Sequence, residues 1–167
     1  MTIAQARDAI TAFLATMEND ELEIGTVILF DDHAYAAILE SGSGAFEVIV
    51  RPNQLGVFIQ PNPWNLKYQS DTDHGRGVPG FAGGVLLNPE EVPEMTITPE
   101  QALVFAQTYL DKYLPDAELN AEPLPFPGYY TIFASTNAQT RDILHVNGFT
   151  GQTFAVRRHA VFVKISE

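Results

Sequence analysis

The chain has 167 residues, 46% of them hydrophobic and 11% aromatic, with a net charge of -12, an isoelectric point near 4.5 and a mean hydropathy of -0.02. This composition suits a packed globular protein that buries roughly 70% of its unfolded surface. The acidity excludes the clustered Lys and Arg that nucleic acid or an anionic bilayer rewards. With no Cys, disulfides, thiolate metal sites, iron–sulfur clusters and Cys nucleophiles also fall away.

Met1-Thr2-Ile3 passes straight into a helical pattern with no signal-peptide core. That leaves the cytoplasm, or the outside of the cell after processing, as the two compartments. No apolar run approaches the ~18 residues of a membrane span, so no membrane insertion is expected. Thr2-Ile3-Ala4-Gln5 reads as a capping box, a hydroxyl N-cap with Gln at N3. Behind it Ala6, Ile10, Phe13, Leu14 and Met17 fall at helical spacing. Strands follow near 24–30, 34–40, 45–51 and 56–60, separated by Asp31-Asp32-His33, Ser41-Gly42-Ser43-Gly44 and Pro52-Asn53-Gln54-Leu55.

Residues 61–97 differ in composition, with Pro61, Pro63, Pro79, Pro89 and Pro93, several Gly, and the chain's one Trp. Such a stretch reads as a functional loop or a linker. Trp64 and Tyr68 favour a loop that packs on the body, because a free linker seldom keeps large aromatics. A second capping box, Thr98-Pro99-Glu100-Gln101, opens a second helix over Ala102, Ala106, Tyr109, Leu110 and Tyr113. Strands are expected near 118–125, 128–135, 141–147 and 152–158, with 159–166 extending the last of them.

The two helical patterns match at a constant offset, Ala6 to Ala102 and Ile10 to Ala106. Phe30 and Phe126 keep that offset. Tyr35 with Tyr130, Val48-Ile49 with Ile143-Leu144, and Gly56 with Gly151 match one residue short of it, as a single-residue indel near the first hairpin would produce. The pattern indicates internal duplication. The expected fold class is α+β, two tandem repeats, each one N-terminal helix packed on a 3–4-stranded antiparallel sheet. The expected units are 1–60 and 98–167, joined by a Pro/Gly-rich connection over 61–97.

Val146-Asn147-Gly148-Phe149-Thr150-Gly151-Gln152 resembles the closing strand and Thr-Gly turn of the PepSY family, and Phe126-Pro127-Gly128-Tyr129-Tyr130-Thr131 resembles its aromatic-Gly-Tyr-Tyr segment. Ala45–Val50, Gly56 and Pro63-Trp64-Asn65-Leu66-Lys67-Tyr68 are similar to the companion repeat of tandem PepSY-like proteins. Leu55 departs from the pattern where the turn Thr would stand. Phe154-Ala155-Val156 departs where relatives tend to carry Trp and His, with His159 remaining. The resemblance implies export or a surface location, a non-catalytic role restraining proteases or binding partners, and no cofactor.

Motifs with catalytic or ligand-binding letters lack their structural context. Gly75-Arg76-Gly77-Val78-Pro79-Gly80 spells a dinucleotide fingerprint, yet Pro79 interrupts it and no helical pattern follows. Asp71-Thr72-Asp73-His74-Gly75 opens like a calcium loop but has Gly75 at the third ligand position and Ala82 where Glu is needed. His33, His74, His145 and His159 show no metal-ligand spacing. Asp31-Asp32 and Glu90-Glu91 are neighbours, which diverge into water rather than converge across a cleft.

The acids concentrate before residue 123, whereas residues 123–166 hold Arg141, Arg157, Arg158 and Lys164 against Asp142 alone. The expected role is a non-catalytic extracytoplasmic interaction or assembly module. Its partner is itself, as a homo-oligomer or filament, or another protein. The alternative is a protease-inhibitor or pro-region-like binder. The interface residues expected are Trp64, Tyr68, Phe81, Tyr129, Phe149, Arg157, Arg158 and His159, with no catalytic, cofactor or metal residue assigned.

Overall fold

The computed structural model describes residues 1–52, 56–71, 84–87, 91–119, 122–137, 140–156 and 161–166, with backbone alone for 69–71, 84–87, 137, 140 and 141. Both helices begin where their caps direct them. In α1 (Ile3–Leu14) the Thr2 hydroxyl accepts from the Gln5 N–H, and Gln5 Oε1 accepts from the Thr2 N–H. In α2 (Pro99–Tyr113) Thr98 and Gln101 make the same reciprocal pair. Each box satisfies two helix-end donors that would otherwise lack partners.

The fold is α+β, with two antiparallel sheets. The first contains β1 (Leu22–Phe30), β2 (Ala34–Glu40), β3 (Ser43–Arg51) and β4 (Gly56–Ile59) as a meander. A hairpin of β5 (Tyr68–Asp71) and β6 (Gly84–Leu87) stands apart, inside the segment expected to lack strands. The second sheet runs through β7 (Glu118–Leu119), β8 (Leu124–Phe126), β9 (Tyr129–Asn137), β10 (Thr140–Asn147) and β11 (Thr153–Val156), with β7 and β8 both pairing β9. The single strand expected near 118–125 is thus two short ones. Pro123 and Pro125 lack the N–H that a continuous ladder would use.

The last strand, β12 (Phe162–Ser166), does not extend β11 as the sequence suggested. It lies antiparallel to β1 at the edge of the first sheet, pairing Val27 with Ser166, Ile28 with Ile165 and Leu29 with Lys164. Its apolar side chains explain the choice, since Phe162 and Ile165 pack with Ile28, Phe30 and Tyr35.

Alternation along the strands sorts the side chains into layers. Ala6, Ile10, Phe13 and Leu14 of α1 share a core with Val27, Ala36, Ile38 and Val48. Ala102, Ala106 and Leu110 of α2 share another with Tyr130, Ile132, Leu144 and Val146. The opposite faces of the two sheets meet each other: Ile28, Phe30 and Tyr35 pack on Phe133 and Ile143, and Ala37 packs with Phe126 and Tyr129. Tyr35 therefore lies between the sheets while Tyr130 faces α2, so these two residues do not occupy corresponding faces. A one-residue slip in matching strands moves every side chain to the other face.

Candidate functional site

Two strands carry an acid or an imidazole on the face that meets the opposite sheet. In β3 it is Glu47, set between Phe46 and Val48; in β10 it is His145, set between Leu144 and Val146. Both lie inside the protein, at 1% and 0% exposure. His145 Nε2 sits 2.9 Å from Glu47 Oε2 and 3.1 Å from Oε1. Tyr35 donates to Oε1 at 2.5 Å, Thr131 to Oε1 at 2.8 Å and Tyr129 to Oε2 at 3.2 Å. Of these four donors, Tyr35 belongs to the first sheet, while Thr131, Tyr129 and His145 belong to the second.

The segment after β4 completes the cluster. Asn62 Oδ1 accepts the Trp64 N–H at 3.0 Å, which turns the amide nitrogen toward His145 Nδ1 at 3.1 Å. The two ring nitrogens of His145 thus face the Asn62 amide and the Glu47 carboxylate. The same segment donates Leu66 N–H to Pro127 O, and the Trp64 ring lies 4.9 Å from that of Phe154. Gly128 makes this crossing possible. It holds φ +100, and a Cβ there would meet the Trp64 carbonyl oxygen at 2.2 Å.

Burial alone would raise the Glu47 carboxyl. His145 beside it and hydrogen bonds from His145, Tyr35 and Thr131 outweigh that and hold it below its ordinary value. Tyr35 and Tyr129 move the other way: burial first, then the Glu47 charge, push both phenols well up. Chemically the arrangement is a carboxylate saturated with donors and closed to solvent. It can hold two sheets together, and among the described residues both Glu47 and His145 are buried.

A second carboxylate sits at the surface. Glu40 takes Lys67 Nζ at 2.5 Å, the Tyr68 hydroxyl at 2.7 Å and Asn19 Nδ2 at 3.2 Å. Burial pushes it up, and the bonds from Lys67, Tyr68 and Asn19, with the Lys67 charge, together outweigh that and bring it below its ordinary value.

Among the expected interface aromatics, Tyr68 is 2% exposed and Tyr129 1%. Tyr68 packs on Phe46 and Tyr129 stacks on Phe126, so both are committed to internal contacts and neither is presented to a partner. Trp64 is half-buried between the sheets' flank and Phe154. Phe149 is half-buried in a turn where Asn147 Oδ1 accepts the Phe149 and Thr150 N–H groups. Phe81, Arg157, Arg158 and His159 lie outside the described residues, as do the Gly75–Gly80 motif and most of the calcium-like loop.

Asp31 Oδ1 accepts the Val161 N–H, and Asp32 bonds His33, so the adjacent acids serve separate contacts. Among the described residues no group of three His, Cys, Asp or Glu could hold a metal, and no helix is long and apolar enough to cross a membrane. The Glu47 cluster was not singled out by motif. Its signal was a lone acid in the apolar run Ala45–Val50 and a lone His in Ile143–Val146. In comparisons with known proteins, no family model, curated protein or solved structure matches this chain.

Proposed function

We propose that the chain is a duplicated helix-and-sheet unit that works as a non-catalytic interaction module outside the cytoplasm, joining copies of itself through the outer face of α2. Duplication is supported by strand register at the helices' own offset, with no indel. Ala36 pairs Val48 as Ile132 pairs Leu144, and Tyr35 pairs Ile49 as Thr131 pairs His145. Likewise Val50 pairs Val57 as Val146 pairs Thr153.

The observation that carries the docking reading is a difference between the helices. The outer face of α1 shows Ala4, Gln5, Asp8, Thr11 and Ala12. That of α2 shows Val104 at 65% exposure among Gln101, Gln107 and Thr108, with Phe105 at 37% on its edge. At the shared offset Val104 stands where α1 has Asp8. Residues 101–110 carry no charge, and the uncharged stretch around Val104 is bounded by Glu100 and Asp111. Exposed aromatic and aliphatic groups of this kind anchor interfaces.

The closed Glu47 cluster supports a structural duty for the chain's best-connected titratable groups. The location is supported by the PepSY resemblance. β-Addition at β12 is disfavoured, because that edge carries Lys164 and a register shift opposite Leu29 and Phe30. Light scattering over a concentration series tests the proposal. Mass should rise with concentration in the parent chain and fall back toward the monomer in Val104→Asp, whereas a parent that stays monomeric throughout refutes self-association.

A further inference from the structure

We infer that Glu47 and His145 form a pairing code that lets each sheet's inner face accept the unlike half of the chain and reject the like half. The inference rests on the duplication read above and concerns a different surface from α2. At the shared offset, contacts between the halves come in matched sets, as a local two-fold relation requires. Phe30 packs in one cluster with Phe133; their counterparts Phe126 and Ala37 pack together in another. Tyr35 and Ile143 line one small cavity; their counterparts Thr131 and Glu47 are bonded at 2.8 Å. Ile49 and Ile143 line that same cavity, and their counterparts are His145 and Glu47.

The two halves thus differ in polarity at these positions. The first has Glu47 and Ile49, the second Ile143 and His145. Only first-with-second pairing brings the carboxylate to the imidazole and leaves the two isoleucines opposite each other. Pairing two first halves would set Glu47 against Ile49 and deprive it of His145, Thr131 and Tyr129. Pairing two second halves would set His145 against Ile143. A buried charge without its partner is far costlier than the gain from forming the pair, so the penalty discriminates more than the attraction does.

The code fixes what a second copy of this chain can do at this face. It can bind there only by reciprocal exchange, the first half of each copy meeting the second half of the other. The connection over residues 61–97 is long enough in sequence for the halves to separate, and β12 would travel with the second half onto the other copy's β1.

The test uses two full-length variants, Glu47→His and His145→Glu. Alone, each opposes like groups across the sheets and should melt lower by on the order of 10 °C. Glu47→His/His145→Glu in one chain should regain more than half of that loss. The two single variants carry different tags, are mixed in denaturant and are refolded together. They should yield a 1:1 complex on tandem affinity capture, because exchange gives each variant a matched partner; neither variant refolded alone should give such dimers.

If the single variants do not fold alone, native circular dichroism recovered in the mixture is the supporting result, and its absence is the overturning one. No regain in the double variant, or no complex from folded variants, overturns the code. Those results leave the α2 reading untouched, since Val104→Asp reports on it separately.

Discussion

Glu47 and Glu40 are two carboxylates held by nearly the same chemistry in different surroundings. Each accepts from a tyrosine hydroxyl and a nitrogen base, and each lies below its ordinary pKa. Glu47 is enclosed between sheets and faces residues from both, whereas Glu40 keeps contact with water at the end of β2. What differs is the alternative open to each when a partner is removed. Water replaces a lost bond at Glu40, and nothing replaces one at Glu47. The number of bonds around a charge therefore predicts its structural importance less well than its access to solvent.

Substitution should expose this contrast most sharply. Glu47→Ala leaves His145, Tyr35, Tyr129 and Thr131 without their acceptor and should cost about 3–5 kcal/mol in urea unfolding. Glu40→Ala should cost under about 1 kcal/mol. Equal losses would end the distinction between the two sites.

Acid is the next probe. A depressed carboxyl adds stability at pH values above its unfolded value near 4.5 and loses that contribution as pH falls through the folded value. Both sites act in this window, so the urea midpoint should drop steeply below about pH 4.5. Glu47→Gln should flatten that slope much more than Glu40→Gln, and a slope unchanged in Glu47→Gln would mean the cluster does not titrate there. Thr131→Val keeps shape, deletes one bond to Glu47, and should cost roughly 1–2 kcal/mol by the same measurement. The smallest effect belongs to Lys67→Met. It should change stability by less than about 1 kcal/mol and by less still in 1 M salt, because exposed pairs are screened.

Local chemistry made the helices legible. Thr2-Gln5 and Thr98-Gln101 are contained within four residues, and the apolar spacing behind them needs no distant partner. The strands flanked by Gly, Asn and Asp turns were legible for the same reason. The destination of β12 was not, since its partner β1 lies far away in sequence and its apolar pattern would suit β11 equally well. Nor were the strand faces legible from matching letters, because Tyr35 and Tyr130 look alike yet face different layers. Glu47 and His145 were visible as lone polar residues in apolar strands. That they face each other depends on how the two sheets dock, which no single strand encodes.

The placement of β12 also bears on biosynthesis. A ribosome releases β1 early, yet the backbone edge beside Val27–Phe30 has no partner until Phe162–Ser166 emerges. Through that interval the nascent chain presents an unfinished ladder flanked by Ile28 and Phe30, a surface that chaperones recognise and that neighbouring nascent chains could pair with. The half that is made first is the half that is finished last.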